Sequence, residues 1–171
     1  MKKEITTSIV IHASVEQVWS ALTDFANYPN WNSFITSISG HVKEGSRINV
    51  RIQPPQSKPM TFKPVILSRA ECKELRWKGK LLINGLFDGE HIFELSENTD
   101  GNTLFVQREQ FSGILVGIIN LENTRKGFER MNQQLKELVE KSVQRFDLKN
   151  VRINSEHSAS SNPPSIFVFG W

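Results

Sequence analysis

The run LENTRKGFERMNQQLKELVEKSVQR, Leu121 to Arg145, sets Leu121, Phe128, Met131, Leu135, Leu138 and Val139 at helical spacing, with Ser142 at the edge of the same stripe. Arg125, Lys126, Glu129, Arg130, Gln133, Gln134, Lys136, Glu137, Glu140 and Lys141 fill the opposite face. The pattern predicts one long amphipathic helix from about residue 120 to 145. A single apolar stripe needs a single partner surface. What precedes it is mostly alternating strand, so the expected partner is a curved sheet that grips the helix.

Upstream, the period-two pattern begins at Ile35 and is interrupted by turns at regular intervals, which predicts antiparallel strands joined by hairpins. The strands are placed at residues 35–42, 47–53, 60–70, 74–80, 89–96 and 103–111. Lys43-Glu44-Gly45 turns tightly, Pro54, Pro55 and Pro59 keep their segment out of any central strand, and Asp100-Gly101 is a hairpin signal. Before this meander, residues 4–12 read as an opening strand around Ile5, Ile9 and Ile11. Ser14 and Gln17 form a capping box that starts a helix with Val15, Val18, Trp19, Leu22 and Phe25 on one side. Asn27-Tyr28-Pro29-Asn30 breaks that helix, and Trp31 and Phe34 follow in an aromatic connection.

With 171 residues, 38% of them hydrophobic and 23% charged, the chain can bury one core, so one domain is expected at residues 1–146. A formal charge of +3, spread among nearly as many acids as bases, argues against nucleic acid as a partner. One cysteine, Cys72, cannot form an internal disulfide, and no run reaches the roughly 18 apolar residues of a membrane span. MKKEITTSIVIHA lacks the apolar core of a secretion signal, so the cytoplasm is the expected location. Residues 147–171 are expected to be a flexible tail, because residues 154–165 are rich in Ser, Asn and Pro. That tail ends in an apolar segment, Ile166 to Trp171, which offers either a disordered sticky end or a hook for a homo-oligomer or another tail-mediated contact.

Residues 73–93, KELRWKGKLLINGLFDGEHIF, together with Thr103, Gln107, Glu109, Phe111 and Gly113, and then Gly127-Phe128, Asn132 and Leu135-Lys136, carry a resemblance. So do Val15-Glu16-Gln17-Val18-Trp19 and Tyr28-Pro29-x-Trp31-Asn32 near the start. In that order they resemble the polyketide-cyclase/dehydrase and lipid-transport branch of the START-like (SRPBCC) superfamily, over about residues 3–145. The resemblance implies an α+β helix-grip fold, a curved antiparallel sheet of about seven strands around the long C-terminal helix. It also implies a cavity between them for a small apolar or amphipathic ligand. Because the superfamily mixes carriers, cyclases, receptors and interaction modules, it carries the fold further than the function.

Alternation then assigns the interior. In residues 89–96 the face with His91, Phe93 and Leu95 is the better inward candidate, against Glu90, Ile92 and Glu94. In residues 103–111 the resemblance favours the face with Phe105, Gln107, Glu109 and Phe111, which sets His91 beside Gln107 or Glu109 on the neighbouring strand. This trio orients the polar end of a ligand, or forms an acid/base pair from His91 and Glu109. Trp31, Phe34, Phe62, Trp77 and Phe87 join Phe93, Phe105, Phe111, Phe128 and Met131 as expected ligand contacts, against the plain alternative that they are core. Leu86 and Phe87 between two glycine-bearing turns suggest a lid; residues 114–119 offer a second, or an extension of the helix.

Other chemistry lacks its signature. The sequence has no phosphate-binding glycine loop, no paired-cysteine or His-x-x-x-His spacing and no nucleophile elbow, so no metal and no cofactor are expected. Cys72 beside Lys73 reads as an inert thiol before an activated one. The function expected is binding of a hydrophobic or amphipathic small molecule, a lipid, polyketide-like or aromatic metabolite. The alternatives are a cofactor-independent cyclase or dehydratase and a protein-interaction module.

Overall fold

The computed structural model describes residues 2–81, 87–117 and 121–160. Strand β1 (Lys2–Ile11) leads to helix α1 (Val15–Thr23). Ser14 starts α1 as the capping box requires: its hydroxyl accepts the Gln17 backbone N–H, and the Gln17 amide oxygen accepts the Ser14 N–H at 3.0 Å. Val18, Trp19 and Leu22 form its buried side. The predicted break after α1 is a tight turn at Phe25–Asn27 followed by one helical turn, α2 (Tyr28–Trp31). Pro29 sits in the first turn of α2, where its missing N–H removes no helical hydrogen bond.

Among the described residues eight strands follow the antiparallel rule, with β2 (Ile35–Ser39), β3 (Asn49–Ile52), β4 (Met60–Phe62), β5 (Val65–Ala70), β6 (Glu74–Leu81), β7 (Phe87–Glu97) and β8 (Thr103–Ser112) after β1. They lie in two sheets, ordered β1-β8-β7-β6-β5 and β2-β3-β4. The single strand expected over residues 60–70 is therefore two, one in each sheet. Pro64 sits at the division: with no N–H it cannot continue a ladder. Its carbonyl accepts from Ile48 at 2.9 Å, while Gly45 donates to Ile66 and Ile66 to Ser46, each at 2.9 Å. The chain entering β3 thus ties the small sheet to β5.

Helix α3 (Glu122–Ser160) is the last described element. The chain divides into two compact units, Met1–Glu140 and Lys141–Trp171. In the first, residues 122–140 of α3 lie across the strands, with Phe128, Met131, Leu135 and Val139 buried. Asn132 Nδ2 donates to Thr7 Oγ1 at 2.9 Å, Lys136 Nζ to the Val10 carbonyl at 2.7 Å, and Ser33 N and Oγ to Gln134 Oε1 at 3.0 and 2.9 Å. This is the α+β helix-grip arrangement, an antiparallel sheet wrapped around the C-terminal helix. Gly127 permits the closest approach: a Cβ there would stand 2.3 Å from Phe34 Cδ2.

In the second unit the helix runs on to Ser160, with Phe146 and Leu148 exposed. The stretch from 147, expected to open a flexible tail, is helical over its first 14 residues. The apolar stripe lapses after Val143, which removes the periodic signal, but no Pro or Gly intervenes between Arg145 and Ser160 and the first proline is Pro163. The apolar end at residues 166–171 lies outside the described residues, as do Leu86 and residues 118 and 119 of the expected lids. What is described of the second lid is a tight turn at Ile114–Gly117, with Ile114 exposed and Val116 buried.

Candidate ligand-binding site

Three neighbouring strands build the floor. Their register sets Trp77 of β6 opposite His91 of β7, and His91 opposite Glu109 of β8. One step toward the hairpin end, Gly79 faces Gly89, and Gly89 faces Phe111. Directly opposed residues share a sheet face, so all six lie on the side that α3 covers. The two glycines leave that face bare beside His91. At Gly89 the gap is used: a Cβ would come within 2.6 Å of Glu109 Oε1, so the carboxylate rests where a side chain would otherwise stand.

The bare patch opens into a cavity of about 160 Å³. Phe34, Ile35, Val50 and Ile52 wall one side and Met60, Phe62 and Pro64 another, with Trp77 and Phe111 completing the apolar surface. Leu121 and Thr124 close it from the start of the gripped helix. The polar side chains at the cavity are His91, Glu109 and Thr124. Lys80 borders it too, but alternation sets its side chain on the other face, where its opposite residue is Asp88 and where Lys78 and Arg76 approach Glu90 at 3.9 and 3.4 Å.

His91 is held on every side. Its ring stacks on Trp77 at 5.2 Å and meets Phe128 edge-on at 5.0 Å. Nε2 contacts Gln107 Nε2 at 3.1 Å, and Nδ1 faces Glu109 Oε2 at 3.4 Å. Where the Gln107 amide donates, Nε2 is the acceptor, and the other ring nitrogen, Nδ1, lies on the Glu109 side. Gln107 is fully buried and also donates toward Met131 Sδ at 3.7 Å, while its Oε1 has no hydrogen-bond partner among the described residues.

The structure brings Phe34, Phe62, Trp77, His91, Glu109 and Phe111 to the cavity wall. It places Phe93, Phe105, Gln107, Phe128 and Met131 elsewhere, in the solid core behind that wall, each with no exposed surface. Phe93 stacks on Phe105 at 5.8 Å, and Phe128 packs edge-on against Phe34 at 5.2 Å. Trp31 packs against Tyr28 at 4.9 Å and does not line the cavity. The Phe87 side chain lies outside the described residues. Sequence reasoning missed Ile35, Val50, Ile52, Met60, Pro64, Leu121, Thr124 and the two glycines. The strands holding the first four were placed but never assigned an inward face, and Thr124 completes the helical stripe between Leu121 and Phe128.

Elsewhere, burial and then Glu16 and Glu71 raise the pKa of the Cys72 thiol, the opposite of activation. Among the described residues no three His, Cys, Asp or Glu side chains converge to hold a metal ion, and no helix is long and apolar enough to cross a membrane.

A family model described as polyketide cyclase / dehydrase and lipid transport matches residues 2–143. No curated protein sequence matches the chain. Among solved structures, a START superfamily protein from Mycobacterium smegmatis superposes with a TM-score of 0.64 at 18% identity, covering 81% of this chain and 97% of that one. Major latex-like protein 151 of Panax ginseng gives 0.67 at 10% identity, covering 80% and 97%. The di-domain ARO/CYC protein StfQ of the steffimycin biosynthetic pathway gives 0.64 at 10% identity, covering 84% of this chain and 52% of its own. Identities this low speak for a shared fold alone.

Proposed function

The chain belongs to the polyketide cyclase / dehydrase and lipid transport family, and from that premise we propose that it binds a small hydrophobic or amphipathic molecule, a lipid, polyketide-like or aromatic metabolite, in the hollow between sheet and helix. One observation carries the reading: among the described residues the cavity wall is apolar apart from His91, Glu109 and Thr124, with Lys80 at its border. Apolar walls release water on binding, and a few convergent polar groups fix which end of the guest enters. Residues 1–146 act as the binding domain, 147–171 as its appendage, and the cytoplasm as the location. Native mass spectrometry with solvent extraction of the purified protein tests this, together with titration by single-ring hydrocarbons. A co-purifying or saturably bound apolar molecule is expected; a folded protein that takes up none overturns the reading.

A second reading, a cofactor-independent cyclase or dehydratase, draws support from His91 Nδ1 and Glu109 Oε2 standing 3.4 Å apart on one sheet face. Such a pair can take a proton from one substrate atom and return it at another. Turnover that survives alanine at either position would remove it. The protein-interaction alternative called for a filled interior, and the cavity gives it no support.

A further inference from the structure

Resting on the binding reading, the arrangement of hydrogen-bonding capacity inside the cavity says which polar end the guest carries. We infer that the site selects a single-ring group bearing a hydrogen-bond donor, a phenolic or alcoholic hydroxyl or an amine, and rejects a carboxylate.

The accounting starts at His91. Of the two imidazole nitrogens, Nε2 is in hydrogen-bond contact with Gln107 at 3.1 Å, and Nδ1 stands 3.4 Å from Glu109 Oε2. This holds whichever way the Gln107 amide is turned, because the amide offers a donor at one end and an acceptor at the other. His91 therefore braces the wall through Nε2, with Nδ1 turned to the Glu109 side. Glu109 is different. Its Oε2 faces the imidazole, while its Oε1 lies over Gly89 at the cavity, with no hydrogen-bond partner among the described residues. A carboxylate oxygen only accepts, so it must be met by a donor.

Among the described residues, the lysine that borders the cavity is Lys80. Lys80 belongs by strand alternation to the outer face, opposite Asp88. Thr124 contributes a neutral hydroxyl, which accepts as readily as it donates. A guest carboxylate would thus enter an apolar hollow beside a like charge, where repulsion is screened least. Size narrows the class further. About 160 Å³ is room for one ring, since an engineered cavity of roughly 150 Å³ takes benzene.

Isothermal titration of the full-length protein with 4-ethylphenol, ethylbenzene and 4-ethylbenzoate tests the inference. The three share one hydrocarbon body and differ only at the polar end. The phenol is expected to bind about tenfold more tightly than ethylbenzene, as a hydrogen bond to a charged acceptor allows, with the benzoate weakest. In Glu109→Gln, with folding checked by its thermal melt, the preference for phenol over benzoate should fall toward one. Ethylbenzene binding as tightly as the phenol, or benzoate binding more tightly than either, overturns the inference and leaves the binding reading standing. If none of the three binds to the folded wild-type protein, the inference falls, and the binding reading is decided by whether an apolar molecule co-purifies.

Discussion

Replacing Gly127 by alanine would set two well-known effects against each other at one atom. The residue lies in the gripped part of α3, and alanine in a helix interior is favoured over glycine by about 1 kcal/mol. Against this, the new methyl would lie 2.3 Å from Phe34 Cδ2, 2.6 Å from Cε2 and 3.1 Å from Cγ. Ordinary contact begins near 3.4 Å, so the ring must move by about an ångström. It has little freedom to do so: Phe34 is 2% exposed and its ring sits edge-on to Phe128 at 5.2 Å. Overpacking of this kind costs about 1–3 kcal/mol, and a confined ring belongs at the upper end. The net expectation is a loss of about 2 kcal/mol, or roughly 4–8 °C in melting temperature for a chain of this size. Because Phe34 also walls the cavity, its displacement should weaken ligand binding as well. Chemical denaturation measures the first effect and titration with a single-ring ligand the second, and Phe34→Leu in the Gly127→Ala background should recover part of the stability. A Gly127→Ala protein as stable as wild type, or more so, would refute the reasoning.

Three further expectations concern the frame around the site. Asn32 is buried, and its Oδ1 accepts from the backbone N–H of Phe34 at 3.0 Å and of Ile35 at 2.8 Å; Asn32→Ala should cost about 2 kcal/mol by denaturant melt, with weaker binding because both residues line the cavity. Tyr28 is fully buried, its hydroxyl donates to the Leu22 carbonyl at 2.7 Å, and burial raises its pKa; Tyr28→Phe should cost about 1–2 kcal/mol and remove no cavity-facing group. Glu140 tests linkage. Burial alone would raise its pKa, but hydrogen bonds from the His12 backbone and ring, with Lys136 nearby, outweigh this and hold it below the usual carboxylate value. A lowered folded-state pKa stabilises the protein above the unfolded value of about 4.3 and loses that contribution as pH falls through the folded one. The stability advantage of wild type over Glu140→Gln should therefore be full at pH 7 and shrink below about pH 4. An advantage that grows on acidification would contradict the assignment.

Most of the fold was legible because its signals are periodic. Phe128, Met131, Leu135 and Val139 mark a helical stripe, and the alternation through His91, Phe93 and Leu95, then Phe105, Gln107 and Phe111, matches the buried faces of β7 and β8. What periodicity does not encode is where a layer stops. Residues 60–70 read as one strand because their composition is continuous, yet Pro64 divides them between two sheets. The helix beyond Arg145 gave no periodic signal at all. The site was legible in its polar part and less so in its apolar part. Opposed positions on adjacent strands follow from counting, which brings His91 to Glu109. Whether a phenylalanine faces a hollow or another phenylalanine depends on three-dimensional packing, which set Phe93 against Phe105 and left Phe111 at the wall. Gly79 and Gly89 were read as part of a motif and a turn and not as site residues, because their contribution is a side chain they do not have.

That pair has a consequence for how this protein could diverge. The hollow's capacity is governed by two positions whose side chains are a single hydrogen, on a ladder whose backbone pairing any small residue would preserve. At Gly79 a methyl group would meet nothing nearer than Pro64 Cβ at 3.4 Å, so alanine there trims the chamber without disturbing the architecture. At Gly89 the same change would push the Glu109 carboxylate aside. On the binding reading, the room for a guest and the setting of its polar end would thus be adjustable at separate positions on neighbouring strands.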